Sequence, residues 1–461
     1  MRKRFKTKKL AGNYNTPRKL KTILSRHPEQ HLQLAWDCFQ VGIFLFPWLP
    51  IAGIIGLLLA IGLVWKQEYR TIIRRPLNKG FAILSIWLII TSCFANNPPE
   101  AFLGLANLLP FFLVFAAYSS LIQCPAQLRQ IARIIVVGSL PVIILGFGQL
   151  FLGWAGLAQL QVIFGWVLEA KGNPPGRMSS VFMYANILAV YLQMVFILGL
   201  GLWIETLQNW RQRGNKFLFQ LLFFSVMFPG NAIALILTDS RNVWGIAILA
   251  CLAFALYLGW RWIIFAVTMI GSSILWASFG LEPSRQWLRQ IIPAFFWARL
   301  TDELYPDRPV ALLRKTQWDF AWWMTQERPW MGWGLRNFTP LYQAKMHLWL
   351  GHPHNLLLML TAETGLPATL LFCGLISWIL AQFVLIISVW PDVAPTPSKY
   401  QWNQDKLMLF TYLLVFTGFT LFNLLDVTLF DMRSNTFGWL FLSAICGVVH
   451  QYKGLLLWRV F

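Results

Sequence analysis

Charged residues are scarce in this chain of 461 amino acids. They make up 12% of the sequence, whereas apolar and aromatic residues make up 57%; a soluble domain carries about 25% charged residues. A soluble fold of this length could not bury so much apolar surface, so a soluble protein is excluded. The sequence also lacks a Cys-x-x-Cys pair, and its six cysteines lie in or beside apolar runs. A disulfide framework and a cysteine-ligated metal site are therefore not expected.

Acidic residues are scarcer still, with 18 Asp and Glu against 38 Lys and Arg and a net charge of +20. In a soluble protein this balance would suggest a nucleic-acid partner. In an apolar chain it is typical of cytoplasmic loops, where Lys and Arg collect, and we expect no nucleic-acid partner. Residues 1–31 hold ten Lys and Arg and no apolar run, so we expect a basic cytoplasmic tail that also contacts anionic membrane lipid.

Long apolar runs dominate the remaining chain. They predict an all-α, polytopic integral membrane protein of about twelve transmembrane helices, with a long extracytoplasmic loop before the tenth. We divide the chain into the basic tail 1–31, helices one to nine over 32–279, an extracytoplasmic loop with short helices over 280–365, and helices ten to twelve over 366–461. If successive loops alternate between the two sides of the membrane, the side of the N-terminal tail holds 25 Lys and Arg and five Asp and Glu. The other side holds 13 Lys and Arg and twelve Asp and Glu. This asymmetry predicts that both termini are cytoplasmic.

The long outer loop is rich in Trp and includes a predicted helix from about 312 to 327. One interpretation is an amphipathic helix that lies at the membrane surface within an aromatic belt. The other is sugar stacking by one or two Trp rings, for which Trp322 is the candidate. Farther along, Gly365 and Pro367 mark the end of one helix and the start of another.

Four polar clusters lie on the same predicted outer side, although they are far apart in sequence. They surround Arg177, Arg241, His354 and the Asp426–Arg433 loop. The two arginines sit at predicted helix ends, where they either anchor the helix or bind oxygen pairs of a phosphate or pyrophosphate bidentately. His354, or else His352, suits a general base, because a neutral imidazole has a pKa near ~6.5. The alternative is a surface or capping histidine.

Three further expectations concern neighbouring polar groups. The His352-Pro-His354 pattern is not expected to bind a metal, because no carboxylate or cysteine cluster accompanies it in the sequence. Glu363 is expected to be structural, holding the short helix, with a role as an acid catalyst as the alternative. Asp426 and Arg433 are expected to pair with each other, with acceptor binding as the alternative.

Four motifs in order carry a resemblance to a known family. They are Gly176-Arg177-x-Ser-Ser-x-Phe-x-x-Ala-Asn186, Leu237-Thr-Asp-Ser240-Arg241, Glu327-Arg-Pro-Trp-Met-Gly332-x-Gly334-x-x-Asn337, and His354-Asn355-x-x-Leu358 followed by Glu363-x-Gly365. The sequence resembles the O-antigen ligase/polymerase superfamily of bacterial inner-membrane glycan enzymes, with a cyanobacterial variant as the nearest type. Two departures are Tyr184-Ala185, where the family often has Asn-Pro, and Asn242, where a Gly often follows Ser-Arg.

The resemblance implies glycosyl transfer at the outer leaflet without a metal or other cofactor. The donor would be a glycan on undecaprenyl pyrophosphate, and the acceptor a hydroxyl of a lipid, a glycan or a protein. Arg177 and Arg241 would hold the pyrophosphate, and His354 would take the acceptor proton. The candidate substrate-binding residues are Lys171, Ser240, Asn186, Asn355, Arg433 and Trp322. Inorganic carbon (bicarbonate) transport is the alternative function, because the superfamily also contains a protein associated with it. A glycan-binding or scaffolding protein without activity is a third.

Overall fold

The computed structural model describes residues 25–157, 165–301, 309–390 and 399–460, together with positions 159 and 303. Within these residues the fold is 78% helical and contains no strand, which confirms the all-α class. Residues 1–24, most of the predicted basic tail, lie outside the described part.

Seventeen α-helices have described bounds, and three short 3₁₀ helices join them. The α-helices are α1 Gln33–Leu45, α2 Pro50–Arg74, α3 Pro76–Cys93, α4 Pro98–Leu105, α5 Leu109–Leu121, α6 Pro125–Phe151, α7 Ala185–Arg213, α8 Leu218–Leu237, α9 Arg241–Leu258, α10 Arg261–Phe279, α11 Ser284–Ile291, α12 Ala294–Leu300, α13 Arg314–Glu327, α14 Phe338–Met346, α15 Leu356–Ser388, α16 Lys399–Asn423 and α17 Met432–Val460. The predicted helix at about 312 to 327 is α13, so that prediction is confirmed.

Among the described residues, nine helical stretches are long and apolar enough to cross a membrane. One of them, Ala185–Leu237, joins α7 and α8, whereas the 13-residue α1 falls short of the length required. Each of the twelve expected spans falls on a helix. The fourth expected span, 101–122, is divided between α4 and α5. The chain is therefore a polytopic membrane protein. Its six cysteines are free thiols.

The helices differ sharply in how they are buried. Every residue from Leu188 to Leu202 in α7 is buried, which is typical of a helix surrounded by other helices. In contrast, α10 buries only Ala277 and Ser278 and leaves the rest of its apolar surface uncovered. We infer that α7 occupies the centre of the bundle and that α10 lies at its edge, where lipid would cover it.

The loops that carry the four motifs meet at one end of the bundle, which we call the motif face. Met178 donates its backbone N–H to Leu237 O at 2.8 Å, joining the first two motif regions. Asn97 donates its backbone N–H to Asn337 Oδ1 at 2.8 Å, which ties the loop before α4 to the third. The expected grouping of these loops on one side is thus observed.

The opposite end of the bundle holds a compact ionic cluster. Arg129 bridges two carboxylates, with its Nε 2.5 Å from Glu205 and its Nη2 2.6 Å from Asp405. Both carboxylates are buried, so the pairing compensates the cost of removing them from water. The chain segments around Arg129, Glu205 and Asp405 alternate along the sequence with the loops of the motif face. Their mutual contacts therefore agree with the assignment of alternate loops to opposite sides, which was inferred from charge.

Residues 328–337 form a segment that is hydrogen-bonded along the first half of α15. Trp333 donates its backbone N–H to Ala362 O at 3.0 Å, and Gly334 donates to Glu363 O at 2.8 Å. The Glu363 side chain is buried and accepts the backbone N–H of Phe338 at 3.0 Å, so it holds this segment, the structural role expected of it. Much of the third sequence motif therefore serves to dock the segment.

α15 is interrupted at Gly365, as the Gly365/Pro367 pattern predicts. Gly365 has φ 80° and ψ 166°, a region that only glycine adopts readily. A Cβ at this position would lie 2.4 Å from Trp330 O, so the 328–337 segment approaches too closely for any side chain.

Candidate functional site

A cavity of about 880 Å³ opens on the motif face. Its lining residues come from five parts of the chain: 97–107, 173–187, Arg336 with α14, the 349–354 loop, and the stretch from the end of α16 to the start of α17. The polar lining residues are Asn97, Glu100, Asn107, Asn173, Asn186, Arg336, Thr339, Gln343, His352, His354, Asp426, Thr428, Asp431 and Ser434. Of the predicted site residues, His354 and Asn186 therefore border the cavity.

His354 is held by a carboxylate. Its Nδ1 lies 2.9 Å from Oδ1 of Asp426, which is nearly buried. Because an ionised carboxylate only accepts hydrogen bonds, Nδ1 carries the proton and Nε2 is left as the acceptor nitrogen. The arrangement is that of an imidazole oriented for general base catalysis by an acidic partner.

Asn186 extends this pair toward Arg177. Its Nδ2 donates to Asp426 Oδ2 at 3.0 Å, and its Oδ1 accepts from Arg177 Nη2 at 2.6 Å. Arg177 Nε in turn donates to Thr238 O at 2.8 Å. A continuous hydrogen-bonded series therefore runs from His354 through Asp426 and Asn186 to Arg177, and it joins three of the four sequence clusters.

Arg241 begins α9 three residues after Thr238, so the link at 238–241 brings it to the Arg177 region. Its side chain is exposed, and Ser240 is the buried N-cap residue. The next residue, Asn242, donates to Leu425 O at 3.4 Å, beside Asp426. Neither arginine lines the cavity, and Arg177 lies beyond Asn186, which does.

The expected pairing of Asp426 with Arg433 is wrong. Asp426 bonds to His354 and Asn186, whereas Arg433 is buried. Its guanidinium lies 3.8 Å from the centre of the Phe182 ring and donates to Val181 O at 3.1 Å. The reason is geometric: Asp426 precedes the turn into α17, and Arg433 lies in its first turn and points into the bundle. Arg433 thus packs the 181–182 turn.

The remaining predicted substrate-binding residues lie apart from the cavity. The side chain of Asn355 accepts Leu358 N–H at 3.0 Å and caps the start of α15. Lys171 is exposed in the loop before Arg177. Trp322, on α13, is 49% exposed but does not border the cavity.

His352 is neutral at neutral pH. Burial lowers its pKa to about 4, against a smaller opposing effect of Asp426, while His354 and Arg314 lower it further. Its Nδ1 accepts the backbone N–H of His354 at 3.2 Å, so its own proton sits on Nε2, 3.8 Å from Asp426 Oδ1. His352 therefore supports the backbone of His354, and His354 is the better candidate base.

Asp426 is ionised at neutral pH. Burial alone would raise its pKa, but the hydrogen bond and charge interaction with His354, the charge interaction with His352 and the Val427 backbone N–H together outweigh that effect, so the pKa lies below its usual range. The carboxylate can thus hold His354 in one tautomer and stabilise the imidazolium that proton transfer would create.

Three potential metal ligands meet at this point. One atom each from His352, His354 and Asp426 lie within 4.8 Å of one another. Contrary to expectation, a carboxylate does accompany the His-x-His pattern, because Asp426 supplies one from 72 residues away. Two imidazoles and a carboxylate facing an open cavity are a donor set suited to Zn²⁺.

Backbone strain is concentrated on the motif face. Six described residues other than glycine have a positive φ, and all six lie in its loops: Lys171, Ser180, Asp239, Arg336, His347 and His354. Each such conformation costs on the order of 1–3 kcal/mol and persists where the surrounding structure enforces it, as in functional sites. His354, with φ 52°, is held by its bonds to His352 and Asp426.

The family comparison agrees with the motifs. Residues 220–373 match the family model described as O-Antigen ligase. This segment is similar to O-antigen ligases. The match covers about a third of the chain and confirms the resemblance to the O-antigen ligase superfamily. No curated protein matches the chain.

The sequence did not predict the role of Asp426, nor the positions of two arginines near the site. Asp426 is the partner of His354, Arg336 lines the cavity, and Arg314 bonds to Leu425 O next to Asp426. Only Asp426 carried a usable signal, as an acidic residue in a short loop between two apolar helices. The two arginines lie in a loop with many other charges.

Proposed function

We propose that this protein transfers a glycan from undecaprenyl pyrophosphate to an acceptor hydroxyl at the outer leaflet of the bacterial inner membrane. The series His354–Asp426–Asn186–Arg177 at the edge of an 880 Å³ cavity is the observation that carries the proposal. It joins a candidate base to a candidate phosphate-binding cation. The family role supports lipid-linked glycans as substrates in general.

In the proposed reaction, His354 Nε2 removes the proton of the acceptor hydroxyl as its oxygen attacks the anomeric carbon of the donor sugar. The bond between that carbon and the pyrophosphate oxygen breaks, and its electron pair leaves with the lipid pyrophosphate. Configuration at the anomeric carbon inverts, because the base and the leaving group lie on opposite faces. Asp426 stabilises the imidazolium formed on His354.

Arg177 and Arg241 are assigned to the leaving pyrophosphate. Arg177 uses Nε and Nη2 for contacts within the protein, and its Nη1 makes no hydrogen bond to the described residues. Arg241 is exposed at the start of α9. Guanidinium groups stay charged and bind oxygen pairs bidentately, so they stabilise charge that develops on a departing pyrophosphate. Because pyrophosphate is a competent leaving group, no metal ion is required in this scheme.

The proposed orientation places the motif face outside and both termini in the cytoplasm. It rests on the excess of Lys and Arg in the loops of the opposite end, since positive residues remain cytoplasmic. Membrane lipid then surrounds the bundle, and the acceptor reaches the cavity from the outer side.

A reconstituted transfer assay tests the proposal. Purified protein in proteoliposomes is mixed with lipid-pyrophosphate-linked glycan and with host membrane extract as the acceptor source. His354→Asn should lower turnover by on the order of 10²–10⁴-fold, the range of general base catalysis. Asn tolerates a positive φ, so the backbone is preserved.

His347→Asn is the matched control, because His347 is an exposed histidine with φ 54° that does not line the cavity. It should retain wild-type turnover. Equal losses in both variants, or a donor that stays intact with every acceptor fraction, would reject the transferase. Bicarbonate flux in the same proteoliposomes would then support the transport alternative.

A further inference from the structure

The cavity wall presents neutral polar groups without protein partners. The side chains of Asn107 and Gln343 line the cavity and make no hydrogen bond to the described residues. Ser434 Oγ is fully buried beside the cavity and also lacks a partner in this part of the chain. A buried hydroxyl left unpaired costs about 1–3 kcal/mol, so the wall behind the two amides is not fully satisfied by the protein.

The charged groups of the wall, in contrast, are already engaged. Glu100 pairs with Arg336 at 3.0 Å, and Asp426 pairs with His354. Asp431 accepts the Ser434 backbone N–H at 2.7 Å and caps α17. The lining thus holds three carboxylates, those of Glu100, Asp426 and Asp431, against one guanidinium, that of Arg336. An acidic ligand would be repelled here.

A flat aromatic surface completes the wall. Trp349 lines the cavity, is 68% exposed, and makes neither a ring contact nor a hydrogen bond to the described residues. It follows α14 and lies two residues before the Gly351–His354 loop. An exposed indole beside hydrogen-bonding amides provides an apolar face together with a polar edge. Trp322, the ring favoured by the sequence, has no such position.

We propose that this cavity binds a neutral sugar residue, which stacks on Trp349 and hydrogen-bonds to Asn107 and Gln343. This assignment rests on the proposed function, and it names the substrate class of the same site. The shared chemistry is an uncharged hexose or N-acetylhexosamine, from either the donor glycan or the acceptor.

Binding can be tested without turnover. The full-length protein in lipid nanodiscs, free of sugar detergents, is examined by saturation-transfer difference NMR with maltotriose, chitotriose or trigalacturonate at millimolar concentration. At least one neutral trisaccharide should give saturation transfer, and the acidic one should give much less. Trp349→Ala should reduce the neutral signal several-fold. Trp330→Ala, at another exposed Trp (72%) away from the cavity, should not.

A signal that is absent for both neutral trisaccharides, strongest for trigalacturonate, or unchanged in Trp349→Ala would overturn the assignment. If transfer fails while the Trp349-dependent signal is present, the proposed reaction is wrong but the sugar site stands. In an active preparation, Trp349→Ala should raise KM by about tenfold, the loss expected for one stacking contact. The substrate whose KM rises, donor or acceptor, identifies the source of the sugar.

Discussion

Nδ1 of His354 lies 2.9 Å from Oδ1 of Asp426, although the two residues are 72 positions apart in the chain. The contact joins the loop before α15 to the loop before α17. It fixes the tautomer of His354, so that Nε2 is the nitrogen able to take a proton. The second oxygen of Asp426 accepts from Asn186, which in turn contacts Arg177. One carboxylate thus couples the orientation of the candidate base to the candidate phosphate site.

Asp426→Asn should lower kcat by on the order of 100-fold or more, with a smaller change in KM. The amide can present its own N–H to His354 Nδ1, which would favour the wrong tautomer, and it removes the charge that stabilises the imidazolium. The measurement is steady-state transfer with both substrates varied.

Asp431→Asn is the control for this variant. Asp431 also lines the cavity, but it caps α17, and Asn is an equally good cap. Its kcat should stay near wild type. A kcat for Asp426→Asn within a few-fold of wild type would contradict the role assigned to Asp426.

Local patterns in the sequence predicted much of the fold because each depends on residues close together in the chain. Apolar runs located the membrane helices, and the Gly365-Leu-Pro367 pattern located the break in α15. The helix before Arg328-Pro329 was predicted for the same reason. Arg177, Asn186 and His354 could be grouped because loop alternation places successive loops on opposite sides of a membrane.

The partner of Asp426 could not be found in this way. Arg433 is seven residues from Asp426, so proximity in sequence favoured that pair, but the start of α17 turns Arg433 toward Phe182. His354 reaches Asp426 only through the packing of α15, α16 and α17. The same long-range packing decides which Trp faces the cavity, and it selects Trp349 over Trp322.

The pH dependence of stability should report on His352. Its pKa is lowered from 6.5 to about 4 in the folded protein, chiefly by burial. Between these values the unfolded chain binds a proton that the folded protein does not, so stability falls as the pH drops from about 6.5 to about 4 and changes no further below that. The contribution amounts to about 3 kcal/mol at most.

The check is the difference in apparent Tm between pH 7 and pH 5. It should be smaller in His352→Gln than in wild type, whereas His347→Gln, at an exposed histidine, should leave it unchanged. Asp426 does not complicate this interval, because its lowered pKa keeps it ionised throughout. An equal Tm difference in wild type and His352→Gln would show that His352 is not held neutral.

Added Zn²⁺ should inhibit transfer, while EDTA should leave it unchanged. The ligand atoms of His352, His354 and Asp426 lie within 4.8 Å, and the cavity leaves room for a water at a fourth position. Coordination would engage His354 and Asp426 and break the bond between them, so the base would be lost. The proposed mechanism uses no metal ion, so EDTA would remove nothing that the reaction needs.

Removal of one ligand should weaken this inhibition. His352→Gln should raise the Zn²⁺ concentration for half-inhibition by at least about tenfold, which corresponds to ~1.4 kcal/mol of binding. His347→Gln should not shift it. Loss of transfer on chelation, with recovery on adding Zn²⁺, would instead make the cluster a catalytic metal site and reject the proposed metal-independent mechanism.

Gly365→Ala should destabilise the protein, and it should do so through the site. Gly365 adopts a backbone conformation that costs other residues on the order of 1–3 kcal/mol, and a Cβ there would lie 2.4 Å from Trp330 O. The 328–337 segment would have to separate from α15, which carries His354 at its start. We therefore expect a lower apparent Tm together with reduced transfer.

Gly374→Ala is the control, because Gly374 lies in the same helix with open space around it, and Ala favours a helix over Gly by about 0.8–1.0 kcal/mol. That control should keep or slightly raise the Tm with normal transfer, and an equally tolerant Gly365→Ala would show that the contact between the segment and α15 is dispensable.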